Sequence, residues 1–167
     1  MIRAALLSII LTGAAAADTQ AIRRGTAPDA DQIGHVFVTG CAPGLPALME
    51  KKAALFETAF GWSPVDAGTD AAFAPDGRDL IVTFDANYEG AICEMTIPRD
   101  ISGDGAAVYD GLDAHLTEKF DALPAADAID GGLKWEWDRS GTPTVTYIIE
   151  FIETNEGHTL RTQAKLF

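Results

Sequence analysis

The sequence predicts an α+β domain, a two-layer sandwich in which an antiparallel sheet of about five strands carries its helices on one face. Two observations lead to this prediction. Apolar residues recur with a helical period in some segments and alternate with polar residues in others, and these segments follow the order helix, helix, strand, strand, helix and three strands. We expect residues 31–167 to form this single domain.

Residues 1–17 have the layout of a secretory signal peptide. Arg3 gives a positive start, residues 4–12 are mostly apolar, and residues 15–17 form an A-x-A cleavage site before Asp18. The apolar run is much shorter than the roughly 20 residues that span a bilayer, and a lipoprotein would have cysteine after the cleavage site. We therefore expect a periplasmic or secreted protein without membrane insertion after cleavage, and a flexible N-terminus over residues 18–30.

The chain is strongly acidic, with a formal net charge of −13. Such a surface repels phosphate backbones and anionic lipids, which argues against nucleic acids and membrane surfaces as partners. Solubility explains the acidity more simply than a dedicated cation-binding surface does. The partner classes that remain are a protein and a small ligand.

The first predicted helix begins at Asp31, which suits an N-cap, and ends near Cys41. Its apolar residues fall at i, i+3, i+4 and i+8 and are Ile33, Val36, Phe37 and Cys41. Residues 36–39 also fit a strand. Gly34 and Gly40 limit a strand at this place and favour the helix.

The second predicted helix has Pro46 in its first turn and ends at Gly61, which suits the left-handed position after a helix. A 3.6-residue period is kept by Leu48, Lys52, Leu55, Phe56, Ala59 and Phe60. Trp62 is then expected to fold back on Phe56 and lock the end of the helix. Residues 65–79 are rich in Gly, Asp and Ala and are predicted to be a connection.

A β-hairpin is predicted where the apolar-alternating runs 80–85 and 91–97 face each other across residues 86–90. The C-terminal part returns to alternation after a further connection at 125–132. There, the period predicts a three-stranded meander whose turns lie at 139–142 and 155–157 and whose strands are 133–138, 144–153 and 159–165.

The chain has two cysteines, Cys41 and Cys93. In an oxidising compartment such a pair favours a disulfide, and two ligands alone do not make a zinc site. The alternative is two buried free thiols. Because Cys41 closes the apolar stripe of a helix, we expect the Cys93 face of the hairpin to point toward the helices.

The motif Asp100-x-Ser102-x-Asp104-Gly105 has the oxygen ligands and the glycine of the first half of a calcium loop. The twelfth position is Gly111 instead of a bidentate glutamate. The interpretation that we favour is that Ser102 and Asp104 cap the N-terminus of a third helix. The apolar face of that helix is formed by Val108, Leu112, Leu116, Phe120 and Leu123.

Three glutamates, Glu94, Glu136 and Glu150, lie mid-strand on faces opposite the clearest apolar rows. A carboxylate pair is the machinery of glycoside hydrolysis, which makes an envelope glycan hydrolase one alternative. Lys134 and Arg161 share the same outward rows. A solvated face of mixed charge therefore explains these carboxylates better.

Other catalytic patterns are missing from the sequence. No two of His35, His115 and His158 have the spacing of a helical metal pair, and no serine lies in a G-x-S-x-G motif. Neither a G-x-G-x-x-G motif nor a P-loop is present, so no cofactor is predicted. Trp135 and Trp137 share one side of a strand, where they form core or, if that side were open, a stripe that stacks sugars.

The signal peptide, the pattern Phe37-x-x-x-Cys41, a helix ending at Gly61-Trp62, and Cys93 within Cys-Glu-Met together resemble small, uncharacterised exported proteins of alphaproteobacteria. The resemblance covers most of the chain and implies no activity. From the residues we expect an exported, non-enzymatic binding or interaction protein stabilised by one disulfide. The alternatives are the glycan hydrolase and a calcium-stabilised structural module using Asp100, Ser102 and Asp104.

Overall fold

The computed structural model of the protein describes residues 23–42, 46–87, 90–139 and 144–167. The helices in these ranges are α1 (Ala30–Gly40), α2 (Pro46–Thr58), α3 (Arg99–Ser102) and α4 (Ala106–Lys119). The strands are β1 (Ser63–Pro64), β2 (Ala71–Ala74), β3 (Ile81–Asn87), β4 (Gly90–Pro98), β5 (Asp127–Ile129), β6 (Gly132–Arg139), β7 (Val145–Thr154) and β8 (Gly157–Leu166). Among these helices, none is both long and apolar enough to cross a bilayer.

The predicted α+β class and the antiparallel sheet are confirmed, but the prediction of about five strands is wrong. The described sheet has eight strands in the order β1-β2-β3-β4-β8-β7-β6-β5, and every neighbouring pair is antiparallel. The predicted hairpin corresponds to β3 and β4, and the predicted meander to β6, β7 and β8. Two predicted turns fall partly on residues 88–89 and 140–143, which lie outside the described ranges.

The three strands missed by the sequence pattern are β1, β2 and β5. They have two, four and three residues. The strands β2 and β5 lie in the segments 65–79 and 125–132, predicted to be connections, and β1 lies just before the first of these segments. Alanine, aspartate and proline in these segments have low strand propensity, and so few residues give no readable alternation. Each short strand forms because a longer neighbour presents an unpaired edge.

The three long helices pack on one face of the sheet. They share one core with Val82, Met95, Leu160 and Ile149, and they contribute to it Ile33, Val36, Phe37, Met49, Phe56, Val108, Leu112 and Leu116. The helical rather than extended conformation of residues 36–39 is thereby confirmed. The opposite sheet face carries mainly polar and charged side chains that are partly exposed.

The sheet is built from two halves with the same order of elements. In the first half, α1 and α2 precede the meander β1 to β4, and in the second, α3 and α4 precede the meander β5 to β8. The last strand of each half, β4 or β8, lies at the centre, and the two pair over nine residues, Gly90–Pro98 with Gly157–Lys165. The halves thus meet along one long antiparallel ladder.

Two glycines allow α1 and α4 to touch over this centre. A Cβ atom added to Gly34 would lie 2.3 Å from the backbone of Gly111, and one added to Gly111 would lie 2.4 Å from the carbonyl oxygen of Asp31. No side chain can be accommodated at such distances without separating the backbones. The glycines therefore fix how closely the two helices cross.

The predicted disulfide between Cys41 and Cys93 is present, with 5.5 Å between the Cα atoms. Both residues are buried. The bond joins the end of α1 to the central strand β4, so Cys93 faces the helices as expected. A disulfide is consistent with a compartment other than the cytoplasm.

Local predictions at the helix ends are confirmed in part. Gly61 has φ of 70°, the Trp62 amide donates to the Phe56 carbonyl at 2.8 Å, and the two rings lie 5.1 Å apart. Trp62 therefore locks the end of α2. The N-cap of α1 is Asp29 rather than Asp31, because Asp29 has extended backbone angles and directly precedes the first helical residue, Ala30. The Asp29 amide donates a hydrogen bond to the Gln32 side chain at 3.2 Å.

The predicted signal peptide, residues 1–17, lies outside the described ranges, as do residues 18–22. From residue 23 the N-terminal segment packs on the domain. The Gly25 amide donates to the Phe60 carbonyl at 2.8 Å, and the Gly25 carbonyl accepts from the Asp76 amide at 2.9 Å. This part of the predicted flexible N-terminus is therefore hydrogen-bonded to the domain.

Candidate functional site

The candidate site lies beside α4, and its position follows from two stripes on that helix. One stripe, Val108, Leu112 and Leu116, is fully buried in the core. The neighbouring stripe, Tyr109, Asp113 and Thr117, has the i, i+4, i+8 spacing of a second helical face. Because the first stripe faces the sheet, the second faces sideways toward β6, next to the edge strand β5.

This second stripe forms one wall of an open groove of about 530 Å³. The segment after α4 forms the other wall, and β6 contributes the floor. We call it the α4 groove, and its lining residues are Tyr109, Asp113, Thr117, Phe120, Asp121, Leu123, Pro124, Ala125, Ala126 and Trp135. Its volume falls within the range that small-molecule sites occupy.

Aromatic rings support the floor of the α4 groove. Tyr109 and Trp135 stack with 6.3 Å between centroids and 19° between planes, and Tyr109 also lies 6.2 Å from Phe151. Trp135 is 1% exposed, whereas Tyr109 and Phe120 are half-buried. The expectation that Trp135 belongs to the core is confirmed, and Tyr109 and Phe120 supply the ring surface a ligand would meet.

The charged groups of the α4 groove are both acidic. Within the described ranges, neither Asp113 nor Asp121 forms an ion pair. Lys134 adjoins Trp135 in β6 and therefore lies on the opposite sheet face, where its amine lies 2.8 Å from Glu136. Lys119 is turned away and donates to the Val38 carbonyl at 2.7 Å. The lining thus carries two carboxylates without a neighbouring cation of its own.

A second groove of about 360 Å³ lies where the N-terminal segment meets the turn before β3 and the start of α3. Arg78 and Asp100, both in its lining, form an ion pair at 2.6 Å. The guanidinium is therefore already paired within the groove. This arrangement ties two surface segments together and offers less to a ligand than the α4 groove does.

The three predicted carboxylates lie on the open sheet face, and two of them, Glu94 and Glu150, belong to one row of alternating charge. The row, read across directly paired strands, is Thr83, Glu94, Arg161, Glu150, Lys134 and Asp127. The Arg161 guanidinium lies 2.6 Å from Glu94 and 3.6 Å from Glu150. It occupies the space between the two carboxylates that a glycoside would need, and Glu136 is paired with Lys134. The solvated, charge-mixed face is therefore confirmed.

The three residues of the weak calcium candidate have separate partners. Asp100 pairs with Arg78 at 2.6 Å, and the Asp104 carboxylate accepts from the Ala106 amide at 3.1 Å, next to the N-cap of α4. The Ser102 hydroxyl donates to the Pro98 carbonyl at 3.2 Å and lies inside the fold. Within the described ranges, no group of three or more His, Cys, Asp or Glu is arranged to hold a metal ion.

Tertiary packing brings two histidines together that the sequence keeps apart. The His35 and His115 rings lie 4.9 Å apart in an edge-to-face arrangement between α1 and α4. Burial, and to a lesser degree His115, lowers the pKa of His35. No local spacing could have indicated this pair, because one residue is contributed by each half of the chain.

The surroundings of His158 indicate a structural rather than a catalytic role. Its ring stacks on Phe151 at 5.1 Å, its Nδ1 lies 2.9 Å from the Ser102 hydroxyl, and Gly105 packs against the other nitrogen. His158 and Ser102 are 2% and 3% exposed. Such burial leaves no approach for a substrate, so this pair links β8 to α3 rather than forming a nucleophile and base.

Two lysines cap the end of α1. The Lys52 amine donates to the Thr39 carbonyl at 3.1 Å, and the Lys119 amine donates to the Val38 carbonyl. These carbonyls belong to the last turn of α1, whose oxygens have no helical partner and carry partial negative charge. Burial and the neighbouring Lys119 lower the pKa of Lys52 to about 8.

The α4 groove was not recognised from the sequence. The signal that could have found it is the polar-aromatic stripe beside the apolar stripe of α4, together with the tryptophan of β6. Comparison of the chain with protein-family models, curated proteins and solved structures found no match. The functional argument therefore depends on the groove itself.

Proposed function

We propose that this chain is an exported, non-enzymatic binding protein that holds a small ligand in the α4 groove. The observation that carries the proposal is a groove of small-molecule size whose lining combines aromatic surface with carboxylates that have no ion-pair partner in the described ranges. The described lining contains no histidine, serine or cysteine. Binding is therefore better supported than nucleophilic chemistry.

Export is supported by the layout of residues 1–17 and by the disulfide, which persists most readily in an oxidising compartment. We place the mature protein in the periplasm or the medium. Mass spectrometry of the protein recovered from outside the cytoplasm should give a chain that begins at Asp18 with no free thiol. A full-length, reduced protein confined to the cytoplasm would contradict export.

A thermal-shift screen of small molecules tests the binding function. Thr117→Trp places an indole in the groove, and Ala114→Trp, at an exposed position of the same helix outside the lining, is the matched control. A ligand of the groove should raise the melting temperature of the natural protein and of Ala114→Trp but not of Thr117→Trp.

Two results would contradict the proposal. One is a set of ligands that stabilise all three proteins equally, which would place binding outside the groove. The other is hydrolysis of envelope glycan by the purified protein that is lost in Asp113→Asn, which would make the groove catalytic.

A further inference from the structure

We propose that the α4 groove selects an organic cation, in which an ammonium group is carried on an apolar body. This inference rests on the groove being the binding site proposed above, and it names the chemical class of the ligand. It follows from three properties of the lining, which are its rings, its charges and its lack of hydrogen-bond donors.

The rings favour a cation. Aromatic faces carry negative electrostatic potential and attract ammonium groups within about 6 Å of the ring centroid. Tyr109 and Phe120 are half-buried in the groove and still present surface to solvent, with Trp135 stacked on Tyr109. Leu123 and Pro124 extend the apolar surface that the body of such a ligand would cover.

The charges favour the same class. Asp113 and Asp121 lie in the lining without an ion-pair partner in the described ranges, and the two basic residues nearest in sequence, Lys119 and Lys134, have partners elsewhere. A phosphate or carboxylate ligand would meet two like charges there. The net charge of −13 adds a long-range field that raises the local concentration of cations.

The scarcity of donors separates this class from neutral sugars, which also stack on aromatic rings. Among the lining side chains, the donors are the hydroxyl groups of Tyr109 and Thr117 and the indole N–H of Trp135. A sugar presents many acceptors as well as donors, and most of its acceptors would find no donor from a side chain here. An ammonium ligand presents no acceptor at its charged end and satisfies the carboxylates.

The test compares choline with 3,3-dimethyl-1-butanol, its neutral isostere, by NMR titration of the ¹⁵N-labelled mature protein. We expect choline to bind at least about tenfold more tightly than the alcohol, with shifts at Tyr109, Thr117 and the Trp135 indole. Asp113→Asn and Asp121→Asn should each weaken choline binding by about threefold to tenfold. Asp110→Asn, an exposed position on α4 outside the lining, is the control and should bind as the natural protein does.

Three results would overturn the inference. Equal affinity for choline and the alcohol, or tighter binding of methyl glucoside, would show a groove that binds ligands without recognising positive charge, and the proposed function would stand. Failure of choline to shift any lining residue would exclude the cation. Failure of the proposed function itself is seen separately, when no compound in the screen distinguishes Thr117→Trp from Ala114→Trp.

Discussion

At the scale of single residues, the fold makes the charged state of several groups unfavourable. Burial lowers the pKa of His158, whose ring is held between Phe151 and Gly105 and bonded to Ser102. Burial also lowers the pKa of His35. Burial disfavours the charged form of both imidazoles in the folded protein, so both residues couple stability to pH.

For His158 we expect the free energy of unfolding to fall on acidification. Its contribution is fully present above pH 6.5, the usual pKa in the unfolded chain, and is lost as the pH falls through the lower pKa of the folded state. His158→Asn should be less stable at pH 7 but should lose less stability between pH 7 and 5. Urea unfolding at several pH values measures both, and an unchanged slope in the variant would contradict the prediction.

Lys52 couples stability to pH at the alkaline end of the range. Its amine titrates near pH 8 in the folded protein and near pH 10.5 in the unfolded chain. Between these values the unfolded state holds more protons, so the free energy of unfolding should rise with pH. Lys52→Gln should reduce this rise to the part contributed by Lys119, whose pKa burial also lowers, whereas Lys51→Gln, at the exposed neighbouring position, should leave the whole rise in place. Guanidinium unfolding from pH 7.5 to 10.5 decides between the two outcomes.

At the scale of elements, the close crossing of α1 and α4 depends on having glycine, which has no side chain, at positions 34 and 111. Gly34 and Gly111 each face backbone atoms of the other helix, which cannot rotate away as a side chain can. Glycine to alanine in an exposed helix usually stabilises a protein by about 0.4–1 kcal/mol. At Gly34 and Gly111 the added methyl group would clash with the backbone of the other helix, so alanine is expected to destabilise the protein.

We expect Gly111→Ala to lower the free energy of unfolding by about 1–3 kcal/mol, the range found for overpacked cores. Asp110→Ala changes the adjacent exposed residue of α4 and serves as the control, with an expected change within about 0.5 kcal/mol. Chemical denaturation provides the comparison. A Gly111→Ala protein as stable as the natural one would mean that the helices are free to move apart.

Elements with long internal periodicity could be predicted from the sequence, and elements defined by their neighbours could not. The stripes of α1, α2 and α4 and the alternation of β3, β4 and β6 to β8 are local signals. The strands β1, β2 and β5 owe their existence to hydrogen bonds from longer strands. The α4 groove could not be predicted for the same reason. The stripe at Tyr109 forms a groove only because β6 places Trp135 beside it in the folded protein.

At the scale of the whole molecule, the Cys41 to Cys93 bond ties the helical layer to the centre of the sheet. The cysteines are 52 residues apart in the sequence. On the chain-entropy estimate, closing a loop of this size stabilises the fold by about 4 kcal/mol. That is a large part of the roughly 5–15 kcal/mol that stabilises a typical domain.

The double variant Cys41→Ala/Cys93→Ala should therefore lose about 4 kcal/mol of unfolding free energy in urea. Dithiothreitol should destabilise the natural protein by a similar amount and leave the variant unchanged. Binding in the α4 groove should survive under conditions where the variant is folded, because neither cysteine lines it. Equal stability with and without the bond would show that the disulfide does not organise the fold.

If the chain is exported N-terminus first, as proposed above, the central position of β4 sets an order of folding events. Both cysteines emerge before β8, the C-terminal strand that pairs along β4 from Gly90 to Pro98. The Cys41 to Cys93 disulfide can thus form in the first half of the chain while one side of β4 is still unpaired. The bond then holds the first half together before β8 pairs with it, and β8 completes the middle of the sheet rather than one of its edges.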